Sequence, residues 1–263
     1  QIGYPDWLVC EALDRPGGLS RSFVDARGFT WDLGGHVAFS HFPYYDELLD
    51  LALGGAVNRI RREARIWTHH RWIPYPFQNN VHRLPREAAL DCILGAMRAA
   101  RGSDRALEPA NFYEWTVAAL GQGIADRLSR PFNEKVWTVP MEEMDWRWLS
   151  DRVSVVDAER LVANAILDRD DDAWGPNSEF VFPRQDGTGA IWEGVARYAS
   201  ESIRYGMRAA AIDPAARRVR FETGETLDYE WLISTQPLDR LVEMAADAPD
   251  RVKEAARSLQ RNR

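Results

Sequence analysis

Trp7-Leu8-Val9-Cys10 is an apolar run that ends on a carboxylate, Glu11, and leads straight into the glycine turn Asp14-Arg15-Pro16-Gly17-Gly18. No other feature of this sequence constrains the fold as much. A strand that stops on an acid before paired glycines suits a nucleotide-binding α/β sheet, where the carboxylate accepts hydrogen bonds from ribose hydroxyls. The glycines let backbone approach a pyrophosphate, and Arg15 supplies positive charge to it. A surface glutamate ahead of an ordinary turn gives the same pattern. The phosphate-cradling G-x-G-x-x-G belongs about 20 residues before such an acid, which is upstream of Gln1. Gln1 and the charged stretch Gln260-Arg261-Asn262-Arg263 read as interior positions, so the chain is expected to be a piece of a longer protein.

The 263 residues give room for two ordinary domains. With 45% hydrophobic and 28% charged residues the chain can build a core, and disorder, collagen and coiled coil are excluded. Acidic residues outnumber basic ones 40 to 33, a net charge of −7, which disfavours a nucleic-acid partner. Against that total, the basic run Arg59, Arg61, Arg62 and Arg65 reads as a solvated face. Cys10 and Cys92 form neither a disulfide framework nor a metal cluster, so a reducing compartment is expected. His41, His69, His70 and His82 lack metal-ligand spacing and read as structural; no metal is expected. No apolar run reaches the roughly 18 residues of a membrane span and no signal peptide is evident, so the expected location is cytoplasmic.

Patterning predicts the elements. Residues 7–11 read as a strand, and Ser22–Val24 and Phe29–Leu33 as a hairpin around Asp25–Gly28. Residues 44–53 read as a helix. Residues 65–75 alternate as half-buried strands do, with His70-Arg71 as the turn. Helical periodicity runs from Pro85 to Leu128, with Leu90, Ile93, Leu94 and Met97 as one apolar face. A loop is expected over Pro131–Pro140 and a short helix near 142–150, with Trp146, Trp148 and Trp192 at core or interface spacings. Asp168–Asp172 is an acidic loop. Phe180–Pro183 is a strand, and Gly187-Thr188-Gly189 opens a helix to about Ser202. Arg218–Trp231 is a hairpin with Thr223-Gly224 in its turn. Leu232–Thr235 has the continuous apolar look of a buried parallel strand.

A second glycine pair stands in Asp32-Leu33-Gly34-Gly35-His36-Val37. Leu8–Ser20 resembles the second half of the FAD fingerprint in the amine oxidase and protoporphyrinogen oxidase superfamily. Asp32–Val37, Tyr75-Pro76-Phe77-Gln78-Asn79-Asn80 and Phe132-Asn133-Glu134-Lys135-Val136-Trp137 are similar to the UDP-galactopyranose mutase-like branch, the last being shared with protoporphyrinogen-oxidase-like proteins, and Phe182–Ala190 and Leu232–Leu238 complete a collinear series. The resemblance spans nearly the whole chain, and order and spacing carry it more than any single motif.

The resemblance implies FAD as cofactor, with Glu11 on the adenosine ribose and Arg15, Gly17 and Gly18 along the pyrophosphate. Gly34, Gly35 and His36 would lie beside the isoalloxazine ring, His36 as the catalytic residue that tunes it; a planar ring pressed against backbone needs such a glycine pair, and histidine can shift the ring's protonation. The substrate-binding residues implied are Phe77, Asn79, Phe132, Asn133, Trp137 and Arg152, with Phe132 stacking on the uracil base. Val156 stands where the mutase branch has a second arginine, which removes half of a diphosphate clamp.

The expected fold is α/β: a Rossmann-like FAD-binding domain from residues 1–60 and 201–263, with a substrate domain inserted at 61–200. That insert joins an antiparallel sheet (65–82 with 180–184) to a helical bundle at 85–150, and Glu11 and the strand at 232–235 share one sheet. The expected function is pyranose/furanose isomerisation of a nucleotide-linked sugar through reduced flavin, the substrate being a small molecule. The alternatives are an FAD-dependent oxidase or desaturase, and a non-catalytic flavin-binding remnant.

Overall fold

The computed structural model describes residues 6–36, 38, 40, 42–102, 108–149, 155, 157–171 and 178–259. Arg152 and Val156, and with them Val37, His41 and Asp172, lie outside the described residues. Two compact units are present: residues 1–60 with 179–261, and residues 61–178. The chain returns to the first unit at Glu179, not near 201, because the strand and helix that follow pack on elements before residue 61.

The first unit opens with β1 (Val9–Cys10). β2 (Ser22–Val24) and β3 (Thr30–Asp32) form the expected antiparallel hairpin, closed by Asp25, whose Oδ1 accepts from the backbone N–H of Arg27 and Phe29. α1 (Pro43–Leu53) starts on a proline, whose missing N–H costs nothing at that position, and stops where Gly54 turns left-handed. β4 (Val57–Arg61) follows.

The second unit begins with β5 (Arg65–Thr68) and β6 (Arg71–Pro74), paired Ile66 to Ile73 and Trp67 to Trp72. Their turn is His69-His70, one residue earlier than expected, with φ 48° and 58°. α2 (Arg86–Ala100) forms where periodicity predicts a helix, but with a different face inward. Ala88, Ala89, Cys92, Gly95 and Ala96 are buried, while Leu90 and Leu94 are exposed. The reason is the partner: α4 (Gln122–Ile124) approaches α2 so closely that a Cβ on Gly123 would sit 2.8 Å from the Cys92 Cα. Only small side chains fit between backbones at that spacing, so the larger leucines turn outward. Between them, α3 (Phe112–Leu120) is capped by Asn111, whose Oδ1 accepts from the Glu114 N–H, while Glu114 Oε2 accepts from the Ala110 N–H. After a π-turn at Ala125–Ser129 comes α5 (Arg130–Trp137), where a loop was expected; Pro131 stands in the helix's first turn, where proline is tolerated. A single turn at Met141–Glu143 replaces the helix expected near 142–150. α6 (Ala158–Leu167) is capped by Asp157, which accepts from the Glu159 and Arg160 N–H groups. Ile73, Phe77, Val81, Leu84, Leu120, Ile124 and Leu161 fill this unit's main core.

Back in the first unit, β7 (Glu179–Pro183) pairs with β4 and bridges Ala38 through Val181. The expected sheet of 65–82 with 180–184 therefore does not form. α7 (Gly189–Arg197) lies against α1, and Gly194 permits that contact: a Cβ there would stand 2.9 Å from the Ala52 Cα. β8 (Ile203–Arg204) pairs parallel with β1, Val9 opposite Ile203. β9 (Ala209–Asp213), β10 (Arg218–Phe221) and β11 (Thr226–Asp228) form an antiparallel meander with Met207, Ile212, Val219 and Phe221 beneath it. α8 (Leu238–Met244) and α9 (Asp250–Ser258) pack together after it. Leu232–Thr235 pairs with no strand among the described residues, and Ile233 is 91% exposed. The apolar run is there but the burial that would make it a central strand is not, so Glu11 and this segment do not share a sheet.

Candidate functional site

In the first unit Glu11 follows directly on the parallel strand β1, at its carboxyl end. Its N–H donates to the Arg204 carbonyl and its own carbonyl accepts from the Met207 N–H, both at 2.9 Å. These bonds fix the backbone, and the side chain folds over the turn so that Oε1 accepts from the Leu13 N–H at 2.8 Å. Oε2 has no partner among the described residues. Arg15 is exposed and ion-paired with Asp14 at 3.2 Å, which holds the Asp14 carboxyl below its ordinary range and the guanidinium above its own. Gly17 and Gly18 take φ of 105° and 51°, a left-handed pair that only glycine adopts cheaply in succession.

β3 ends on Asp32, and from there the chain enters Leu33-Gly34-Gly35-His36. Asp32 Oδ1 accepts from the Ser22 hydroxyl and from the Thr188 N–H at 3.0 Å, the Thr188 hydroxyl donates to the Ser20 carbonyl, and the Gly189 N–H donates to Ser22 Oγ at 2.8 Å. The hairpin is thereby tied to the first turn of α7. Ser22, Asp32 and Thr188 carried no assigned role in the sequence; the available signal was an aspartate closing a strand together with the Gly187-Thr188-Gly189 turn.

Nothing in the packing of the described residues requires the glycine pair itself. Neither Gly34 nor Gly35 has positive φ. Among the described residues, a Cβ on Gly34 would make ordinary contact with His36 Cε1 at 3.5 Å, and one on Gly35 would meet nothing within 4 Å. Next to this bare backbone, His36 Nδ1 is buried and has no hydrogen-bond partner among the described residues. Buried polar atoms in folded proteins are almost always paired, so an orphan nitrogen beside glycines that nothing among the described residues demands fits a flat, polar-edged ring lying there.

In the second unit the predicted residues separate. Phe77 is 1% exposed and belongs to the core, so it offers no surface to a ligand and its role is packing. Asn79 is half-buried; its carbonyl accepts from Asn164 Nδ2 at 3.2 Å. The adjacent Asn80, fully buried, does the architectural work: Nδ2 donates to the Asp171 carbonyl at 2.6 Å and Oδ1 accepts from the Asp171 N–H at 2.8 Å. The Asp171 carboxylate in turn pairs with Arg160.

α5 is different in kind. It contains no buried residue, and it holds Phe132 48% and Trp137 41% exposed. Asn133 Nδ2 donates to the Ser129 carbonyl at 2.8 Å. Trp137 meets Trp148 edge-on at 5.3 Å, and Trp148 meets the buried Phe112 edge-on at 5.8 Å. At the start of α5 the Arg130 guanidinium lies 4.0 Å over the Tyr113 ring and donates to Glu134 Oε1 at 3.0 Å and to both Glu142 oxygens. Its hydrogen bonds hold the Glu142 carboxyl below the usual range. The Tyr113 hydroxyl donates to Asp126 Oδ1 at 2.7 Å, and Gln122 Nε2 donates to both the Tyr113 oxygen and Asp126 Oδ2. Helix α5 thus presents two aromatic side chains and a half-buried amide on a charge-pinned element, an arrangement suited to a planar base. Among the described residues no cluster of metal-binding side chains is present, and no helix is long and apolar enough to cross a membrane.

The sequence profile of the family described as flavin containing amine oxidoreductase matches residues 2–261. Among solved structures, the crystal structure of reduced UDP-galactopyranose mutase is similar at 42% identity and a TM-score of 0.91, over 98% of this chain and 57% of that one. Cyclohexylamine oxidase from Brevibacterium oxydans IH-35A has 15% identity and a TM-score of 0.61, over 95% of this chain and 57% of that one. The CLA-producing fatty acid isomerase from P. acnes has 16% identity and a TM-score of 0.57, over 97% and 58%. These two share the fold. The chain spans a little over half the length of the structures it matches.

Proposed function

Because this chain belongs to the flavin-containing amine oxidoreductase family, we propose that it serves an FAD-dependent isomerase that interconverts the pyranose and furanose forms of a nucleotide-linked sugar. The observation that carries the substrate side of this reading is α5, with Phe132 and Trp137 held open to solvent in a chain 42% identical to a UDP-galactopyranose mutase. An oxidase reading has behind it the family's description and structures near 15% identity, which speak to fold and not to reaction.

The flavin supplies, in its reduced form, the electron-rich ring that the isomerisation uses. Glu11 takes the adenosine ribose through its open Oε2, while Oε1 stays committed to Leu13. The left-handed turn at Gly17-Gly18 brings backbone to the pyrophosphate, and Arg15 contributes charge from its pair with Asp14. Gly34 and Gly35 let the ring lie against backbone, and His36 directs Nδ1 at its polar edge. In the second unit Phe132 stacks on the uracil, Trp137 contacts its edge and Asn133 turns its free carbonyl oxygen toward it. Arg152 serves the diphosphate and Asn79 lies at the margin of the site.

The direct test is calorimetric titration of the flavin-loaded protein with UDP. The reading expects saturable binding that quenches tryptophan fluorescence and is matched by UDP-galactose; protein that retains flavin but leaves UDP unbound sinks it.

A further inference from the structure

α5 runs on without a break from α4 and the π-turn, which bury Ile124, Ala125 and Ser129, but from Arg130 onward it buries no residue of its own. That π-turn, Ala125–Ser129, is a rare geometry that re-aims whatever follows it and recurs at functional sites. Beside the edge contact of Trp137 with Trp148, the polar contacts of α5 converge on one side chain. Arg130 lies over the Tyr113 ring of α3, bonds Glu134 one turn further along α5 and bonds Glu142 in the turn after it. Tyr113 is itself held by Gln122 and Asp126, the latter within the π-turn, so both faces of the clamp are anchored.

We propose that Arg130 is a positioning residue: from its place between the Tyr113 ring and the two glutamates it sets the rotation of α5, and so the presentation of Phe132 and Trp137 to the nucleotide, without touching the ligand. The inference deepens the reading of α5 as the nucleotide-binding helix and rests on it. A single exposed ion pair is worth little. Here, however, a planar cation satisfies a ring face and two carboxylates at once, which a lysine ammonium cannot reproduce.

The test compares Arg130→Met and Arg130→Lys with the unchanged flavin-loaded protein by amide hydrogen exchange over residues 131–138, by UDP affinity and by steady-state kinetics. The expected result is faster exchange confined to α5 and the turn at 141–143 in both variants. UDP Kd and the KM for nucleotide sugar rise roughly tenfold, about 1.4 kcal/mol, with kcat within about twofold. Lysine does not restore affinity. Unchanged exchange over 131–138 overturns the clamp, and loosened exchange with unchanged UDP affinity overturns its link to the ligand. A kcat loss equal to the KM effect, or full rescue by lysine, also overturns it. If the unchanged protein itself fails to bind UDP while the variants still loosen α5, the nucleotide reading has failed and the mechanical role of Arg130 stands.

Discussion

Gly35→Ala separates what the fold requires from what the ligand requires. The position has negative φ, and a Cβ there meets no atom of the described residues within 4 Å. Alanine then fits without strain, and by narrowing the unfolded ensemble it stabilises the protein by about 0.4–1 kcal/mol, a rise of roughly 1–4 °C in Tm for a chain of this size. Against a flavin ring packed on that backbone the same methyl group overfills the contact, at a cost of about 1–3 kcal/mol, or roughly fivefold to a hundredfold in flavin affinity. The assay is paired: thermal unfolding of the flavin-free protein, and flavin-to-protein ratio from visible absorbance after gel filtration. The expected outcome is a protein that melts at the same temperature or higher and loses its colour. A variant that keeps a full complement of flavin refutes the placement of the ring at Gly34-Gly35. A variant that melts several degrees lower refutes the claim that the chain itself does not need this glycine.

Phe132→Ala removes the exposed ring assigned to the base stack; UDP affinity measured by calorimetry should fall about fivefold to a hundredfold, the range of one base stack at roughly 1–3 kcal/mol. Gly121→Ala places a Cβ against the Gly95 carbonyl and 2.6 Å from the Ala96 nitrogen, at a φ of +86°. It should cost about 2–5 kcal/mol from overpacking and left-handed strain together, read as a lower urea midpoint. Burial raises the Cys92 thiol from 9.0 to about 11. Its folded pKa lies above the unfolded one, so the folded state holds the proton longer. Stability is fully present below pH 9.0 and is lost as pH rises from there through about 11. In native protein at pH 8 Cys92 should resist a thiol reagent that modifies it at once in urea.

Elements that depend on near neighbours were legible in the sequence. The β2–β3 and β5–β6 hairpins, α1 and the β10–β11 turn all follow from alternation and turn residues a few positions apart. What needed a partner was not. The apolar stripe Leu90–Met97 is real, yet α2 buries its small residues, because Gly121 and Gly123, more than 20 positions further on, decide which face can approach. Leu232–Thr235 carries a central strand's composition and Phe77 a binding motif's position, but burial places the first in solvent and the second in the core. In the candidate site, Gly17-Gly18 was legible because left-handed backbone demands glycine, and Glu11 and Gly34-Gly35 because each stands just past the end of a strand. Asn80, Asp32 and Arg130 were not, since each acts through partners that only the fold brings near: Asp171, Thr188 and Glu142.

The most direct measurement counts electrons. Anaerobic protein is given a known, limiting amount of dithionite and an excess of UDP-galactopyranose, and the sugar products are separated by chromatography. An isomerase that merely borrows the reduced flavin should make many furanose molecules for each reducing equivalent, with the reductant still present at the end. One product at most per equivalent, or accumulation of an oxidised sugar with reduction of an acceptor, contradicts the account.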